Sequence, residues 1–277
     1  MKKLIALALV LVLTLSAASV LAENKKVVIG ATPSPHVLIL EQVVEDLKAL
    51  GFDLEILTFT DYVLPNPATA SGELNANYFQ HLPFLNEYNK NAAADAQLAA
   101  AIPVHYEPYG LYAGTKKALD ELAEGDKIAV TNDPSNETRA LLLLQSAGLI
   151  KLAEDVGPDS SVTALDIKEN PKNLEIVELN AELIPASLGD VAFAVINGNF
   201  AIGAGLSPAE DALFLEPAEG DAGKTYTNYV VVKAGDENAD YVEALKKVLY
   251  SQKVKDYILT NPDFAGGVIP VFEVPAQ

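Results

Sequence analysis

The sequence predicts a two-lobed α/β protein whose first lobe is built from both ends of the chain. Three observations carry that expectation. Val27–Ala31 (VVIGA) reads as a buried-type strand, and Val37, Leu40, Val43, Val44, Leu47 and Leu50 follow as an apolar stripe at helical spacing. Gly51 ends the stripe, and Phe52, Leu54 and Ile56 then alternate with Asp53 and Glu55, which completes a βαβ unit with a parallel strand pair. A second α/β unit occupies the middle of the chain. It comprises strand Ile128–Val130, a polar turn, a helix through Leu149, strand Leu174–Leu179, helix Ala181–Leu188 and strand Val191–Ile196. Finally, Phe200–Leu206 can return the chain to the first lobe, where Asn228–Lys233 supplies a strand and Ala239–Tyr250 an amphipathic helix. This places lobe I at 23–115 plus 200–277 and lobe II at 116–199, with two crossings and a cleft that can close on a hinge.

The 277 residues suffice for two compact lobes. Lys2 and Lys3 precede the apolar run Leu4–Leu15, and Val20-Leu21-Ala22 carries the small residues of a cleavage site, so residues 1–22 read as a signal peptide. The competing reading, an uncleaved anchor, needs a longer apolar run. Formal net charge is −19; the leader holds two lysines and no acid, so the remainder carries −21. Such a surface opposes nucleic-acid binding, which needs clustered Lys and Arg, and direct contact with anionic lipid. Cysteine is absent, which removes thiol catalysis and Cys-ligated zinc.

Between the two units, Thr60 or Asp61 opens a short helix ended by Ser71-Gly72, and Leu74–Phe79 forms a strand that delivers Gln80-His81 to its carboxyl end. Ligands of open α/β sheets sit outside such ends. A helix runs from Leu82 to about Lys90, and the alanine-rich stretch Asn91–Ala101 reads as a loop or weak helical turn. Ile102–Ala113 (IPVHYEPYGLYA) is aromatic and β-branched and reads as one long strand leaving the lobe, followed by a short helix at Lys116–Leu122.

The stretch Lys127–Leu149 carries the first candidate chemistry. Asp133 or Ser135 can cap its helix, Pro134 fits the first turn, and Arg139 lies about one turn in. A helix start with an arginine fork suits a carboxylate; the competing reading is an arginine paired to a nearby Asp or Glu, or left in solvent. Asn197 and Asn228 stand at edges of apolar strands, where an amide either terminates the strand or donates to a carboxylate and accepts from an ammonium. With Arg139 they form a candidate α-amino-acid clamp. Tyr62, Tyr78, Phe79, His81, Tyr106, Tyr109 and Tyr112 cluster near strand ends, as core or as pocket lining. His36, His81 and His105, with Glu107, offer a zinc-site alternative, although no pair has ligand spacing. No G-x-S-x-G, G-x-G-x-x-G or HExxH occurs, and Gly223-Lys224-Thr225 lacks the earlier glycine of a phosphate loop, with Ala218 in its place. No catalytic residue, cofactor or resident metal is therefore expected.

Seven segments together resemble the NlpA-type methionine-binding proteins of bacterial ABC importers: VVIGATPSPHVLILE, LEILTFTDYVLPN, ASGELNANYFQHLPFL, PVHYEPYGLYA, IAVTNDPSNETRALLLLQSAGLI, AVINGNFAIGAGL and TNYVVVK. The resemblance implies a periplasmic-binding-protein fold, type II-like with two crossings. It also implies a solute receptor that delivers L-methionine, or a related amino acid or dipeptide, to an ABC permease and indirectly its ATPase. By position, it implies Arg139 on the ligand carboxylate and Asn197 and Asn228 on its amino-acid head. Tyr62, Phe79, His81 and Tyr112 would line the side-chain pocket, with His105 and Glu107 as second choices. Family members typically carry a cysteine at the cleavage site, whereas LSAASVLAEN has none. The expectation is thus an exported protein, in the periplasm or at the outer face of the cytoplasmic membrane, that lacks a lipid anchor and meets the membrane only through the permease. Pro67 and Tyr78 are milder departures.

Overall fold

A computed structural model describes residues 23–217, 222–264 and 266–275; the expected leader lies outside them. The first sheet has six strands in the order β11-β4-β10-β3-β1-β2. These are β1 Lys25–Ala31, β2 Phe52–Thr58, β3 Ala76–His81, β4 Leu98–Tyr106, β10 Thr227–Lys233 and β11 Ile269–Pro270. β1 runs parallel to both β2 and β3, as the βαβ pattern predicts, while β10 pairs antiparallel with β3 and β4. The second sheet has five strands in the order β7-β6-β8-β5-β9. They are β5 Gly110–Ala113, β6 Lys127–Thr131, β7 Glu175–Leu179, β8 Phe193–Ile196 and β9 Ala212–Leu215.

Each sheet has its own core. The first buries Ile29, Leu40, Leu47, Ile102, Val230 and Leu245; the second buries Leu111, Ile128, Val130, Leu141, Leu144 and Phe193. Helix α1, Leu82–Asn91, leaves β3 directly, with Pro83 in its first turn and the His81 side chain as its cap. Helix α2, Pro134–Ser146, follows β6. The Asp133 carboxylate accepts from Asn136 N–H at 3.0 Å and Pro134 holds the first helical position. Truncating a buried leucine of α2, such as Leu144, removes about 2–5 kcal/mol of stability.

The lobe boundaries differ from expectation. The chain passes between sheets at Glu107–Tyr109 and again within residues 216–226, not at 115/116 and 199/200. Ile102–Ala113 is two strands, because Pro108 cannot donate to a ladder and the segment changes sheets there. β9 was not legible: four residues between acidic flanks pair with β5 as an edge strand. The alanine-rich stretch 91–101 is not a loop throughout, since β4 begins at Leu98 and is held by pairing with β10. Helix α3, Gly198–Gly203, follows β8 and sends Ile202 into the first-lobe core before the chain returns to the second sheet. Residues 119–121 and 181–189 form short 3-10 turns in place of the expected helices. Among the described residues no helix is long and apolar enough to cross a membrane.

Candidate functional site between the lobes

The two sheets present their strand ends to one shared, narrow cleft that stays partly open to solvent. The first lobe contributes Tyr62, Phe79, Gln80, His81, Phe84 and Asn228. The second contributes Asn136, Arg139, Asn197, Gly198 and Asn199, and the first crossing contributes Glu107 and Tyr109. Residues separated by more than a hundred positions thus meet because two sheets face each other across a hinge.

Arg139 is 3% exposed and already paired. Its Nε donates to Glu216 Oε1 at 3.0 Å and its Nη2 to Glu216 Oε2 at 2.5 Å and to the Glu107 carbonyl at 2.8 Å. The Tyr109 and Tyr226 rings sandwich the guanidinium, each centroid 4.0 Å from Cζ. Tyr106 Oη and Tyr109 N–H also donate to Glu216 Oε2, at 2.6 and 3.2 Å. Burial opposes both charges. The pair's mutual attraction and hydrogen bonds outweigh it, holding Glu216 below the carboxylate range and Arg139 above its ordinary value. The reading of an arginine paired with a carboxylate therefore holds alongside cavity lining. The start of α2 is not free for an anion, because Asp133 caps it.

Asn228 sits between His81 of β3 and His105 of β4, next to register shifts in β10 that re-aim its neighbours. Its Oδ1 faces His36 Nε2 at 3.2 Å. Asn197 Oδ1 is buried with no hydrogen-bond partner. Tyr62 Oη donates across the cleft to Asn199 Oδ1 at 2.5 Å, and its ring packs on Phe79, Phe84 and Phe200. A second cross-cleft bond joins His81 Nε2 to Asn136 Oδ1 at 3.0 Å. Because His81 Nδ1 accepts from Phe84 N–H, Nε2 carries the proton. Burial, reinforced by Arg139, lowers the His81 pKa to about 3, so the ring is neutral.

Of the residues singled out in the sequence, Arg139, Asn197, Asn228, Tyr62, Phe79, His81 and Glu107 line the cavity. Tyr112 does not. It packs among Ala129, Ile184, Val191 and Ala194 in the second lobe, because the break at Pro108 puts it on a separate strand. His105 stands behind Glu107, donating from Nε2 to Oε1 at 2.7 Å while its Nδ1 accepts from Tyr78 Oη at 2.5 Å. Tyr109, offered in the sequence as core or pocket lining, lines it too, whereas Gln80, Phe84, Asn136, Gly198 and Asn199 were not put forward as site residues. Gly198 is readable only from structure: a Cβ there would lie 2.7 Å from Glu107 Oε2.

The three histidines do not form one metal site. His81 lies in the separate contact with Asn136, while ligand atoms of His36, His105 and Glu107 fall within 4.8 Å of one another. That trio's lone pairs are engaged: His36 Nδ1 meets Thr32 Oγ1 at 2.8 Å, and His105 Nδ1 accepts from Tyr78. The trio is a closed hydrogen-bond relay rather than an open ligand set.

The family model described as NlpA lipoprotein matches residues 27–272. The chain belongs to the NlpA lipoprotein family. It is 39% identical over 254 residues to the methionine-binding lipoprotein MetQ of Bacillus subtilis (strain 168), covering 90% of this chain and 89% of the relative. It is 42% identical over 221 residues to the D-methionine-binding lipoprotein MetQ of Escherichia coli (strain K12), covering 79% and 78%. A nutrient binding protein from Burkholderia cenocepacia, solved bound to methionine, superposes with a TM-score of 0.83 at 39% identity, covering 89% of this chain and 100% of that one. A putative lipoprotein from Ruminococcus gnavus ATCC 29149 superposes with 0.86 at 47% identity, covering 90% and 100%. The two-lobed fold of this NlpA-family chain is thus that of methionine-binding periplasmic proteins. One expectation falls: absence of a lipid anchor, drawn from cysteine content alone, is overturned by membership of a lipoprotein family and by relatives named lipoproteins. Membrane association through the permease alone falls with it.

Proposed function

We propose that the protein is a non-catalytic solute receptor that closes on L-methionine, or a closely related amino acid or dipeptide, and delivers it to an ABC permease served by an ATPase. The observation that carries this reading is the cavity between the lobes. It combines one guanidinium, several carboxamides that include Asn197 and Asn228, and an aromatic wall, and a zwitterion with an apolar tail needs such parts. Arg139 has Nη1 left for the ligand carboxylate once Nε and Nη2 hold Glu216 and the Glu107 carbonyl. Asn197 and Asn228 meet the amino-acid head. Tyr62, Phe79 and Phe84 offer ring faces to a thioether, each contact worth about 0.3–1.5 kcal/mol. The relatives' printed names and the methionine in the Burkholderia cenocepacia neighbour support this choice of ligand.

Lobe closure explains the energetics. The Tyr62–Asn199 and His81–Asn136 bonds form only when the sheets face each other, and the narrowed cleft sheds water, which strengthens charged contacts. The zinc-receptor alternative, built on His36, His81 and His105, is not favoured, since His81 stands apart and the other rings are engaged. Mass spectrometry of small molecules released by denaturing the purified protein tests the proposal. Co-purified methionine or a methionine dipeptide is expected; stoichiometric zinc with no amino acid contradicts it.

A further inference from the structure

We propose that Asn66 and Asn77 are positioning residues that set the width of the slot for the ligand's side chain without touching the ligand. The inference rests on the reading that a methionine-like amino acid occupies the cavity, and it adds what decides which side chain fits. Asn66, Asn77 and Gln80 are buried carboxamides behind the aromatic wall, and Asn66 and Asn77 stand outside the cavity lining. The three close a ring on one another. Asn66 Nδ2 donates to Gln80 Oε1 at 3.0 Å, and Gln80 Nε2 donates back to Asn66 Oδ1 at 2.5 Å. Gln80 Nε2 also donates to Asn77 Oδ1 at 2.7 Å. Asn77 Nδ2 donates to Asn66 Oδ1 at 3.1 Å and to Thr69 Oγ1 at 2.7 Å, and Thr69 Oγ1 donates in turn to the Pro65 carbonyl at 2.8 Å.

The ring reaches the supports of two aromatic faces, Phe79 and Tyr62. In a regular strand, residues three apart point to opposite faces. In β3, Gln80 pairs with Tyr229 and Tyr78 with Val230, so Phe79 is an extra residue in the ladder. This bulge brings Asn77 and Gln80 to one side, where their bond locks it, and the aim of the Phe79 ring depends on it. Tyr62 lies in residues 59–64, which belong to no helix or strand. Upstream, Phe59 N–H donates to the Ala31 carbonyl at 2.9 Å. Downstream, Asn66 ties the start of the helix Pro65–Ser71 to β3 through the ring. The Tyr62 and Phe79 rings, with centroids 5.7 Å apart, both line the cavity. Buried carboxamides are costly unless paired, whereas a fully paired network fixes one arrangement of the segments it joins. A slot that discriminates between tails differing by a methylene needs that fixity.

The test is calorimetric titration of the wild-type and Asn77→Ala proteins with three ligands: L-methionine, L-ethionine, whose tail is one methylene longer, and L-methioninamide, which differs only at the head. The wild type is expected to prefer methionine to ethionine by about tenfold or more, and Asn77→Ala to shrink that preference below about threefold. The preference for methionine over methioninamide is expected to stay as in the wild type. A folded Asn77→Ala protein, checked by thermal unfolding, that keeps the tail preference overturns the proposal. So does one that loses both preferences together, as general loosening would produce. If Asn77→Ala does not fold, Thr69→Val, which removes the hydroxyl that Asn77 bonds, decides by the same two ratios. A wild type that binds methionine and ethionine alike also overturns the proposal. One that binds none of the three overturns the methionine reading itself, and the roles of Asn66 and Asn77 with it.

Discussion

Glu216 grips the Arg139 guanidinium with both carboxylate oxygens, Oε1 on Nε at 3.0 Å and Oε2 on Nη2 at 2.5 Å. The two residues join the α2 helix of the second lobe to the second crossing, and Tyr109 and Tyr226 stack on the guanidinium from the two crossings. Arg139 is therefore a structural tie between both connecting segments as well as a wall of the cavity. Breaking a buried pair by removing one partner leaves an uncompensated charge. Arg139→Met is expected to cost about 3–5 kcal/mol of stability, and adding Glu216→Gln is expected to restore part of it. Urea unfolding of the two single variants and the double variant measures this. Purely additive losses would show that the pair is not coupled.

Asn197 offers a cleaner test of binding. Its Oδ1 has no internal partner, so the empty protein loses little when the amide goes. Asn197→Ala is expected to leave the thermal midpoint nearly unchanged and to weaken methionine binding by about 1–3 kcal/mol. Unchanged affinity by calorimetry would remove Asn197 from the clamp.

Tyr62→Phe keeps the ring among Phe79, Phe84 and Phe200 and deletes only the bond to Asn199 Oδ1. It is expected to weaken binding by about 0.5–1.5 kcal/mol and to raise the fraction of open molecules in ligand-free solution scattering. A scattering curve identical to wild type would mean the bond does not hold the lobes together.

Legibility in the sequence divides along physical lines. Period-2 and period-3.6 patterns marked β1, β2, β6, β8, β10 and the α2 helix, because those elements are regular and half or wholly buried. Arg139, Asn197 and Asn228 were legible as polar groups at the ends of such elements. The change of sheet at Pro108 was not, because a single proline in an aromatic run signals an interrupted ladder without saying which sheet takes the second piece. That ambiguity misplaced Tyr112, whose neighbour in sequence Tyr109 lines the cavity instead. Glu216 escaped notice for a related reason. Its role depends on pairing with a residue 77 positions away, a relationship no local pattern carries.

Tyr112 supplies a prediction of its own. Its hydroxyl is buried without a hydrogen-bond partner, and the ring lies in the second-lobe core. Tyr112→Phe is expected to keep methionine affinity and to leave stability equal or higher. A tenfold or greater loss of affinity (about 1.4 kcal/mol) would restore the residue to the site.

The three histidines should remain neutral well below neutrality. Burial lowers His36 to about 4 and His81 and His105 to about 3, against an ordinary value near 6.5. The unfolded chain then binds more protons than the folded one between about pH 3 and 6.5. Their contribution to stability is complete above pH 6.5 and is lost as pH falls toward the folded values. Glu137, raised by burial to about 7, acts in the opposite sense, so bulk unfolding curves mix the two. Imidazole proton resonances separate them. They are expected to stay fixed from pH 8 to 5, and an inflection near 6.5 in any ring would contradict its neutral buried state.

The central claim is that one zwitterion with an apolar tail sits between the lobes against Arg139, Asn197 and Asn228. Calorimetric titration of the ligand-stripped wild-type protein with L-methionine measures it most directly. A single site per chain with a Kd of about 1 μM or tighter is predicted. No heat of binding across L-methionine, D-methionine and methionine dipeptides at millimolar concentration would contradict it.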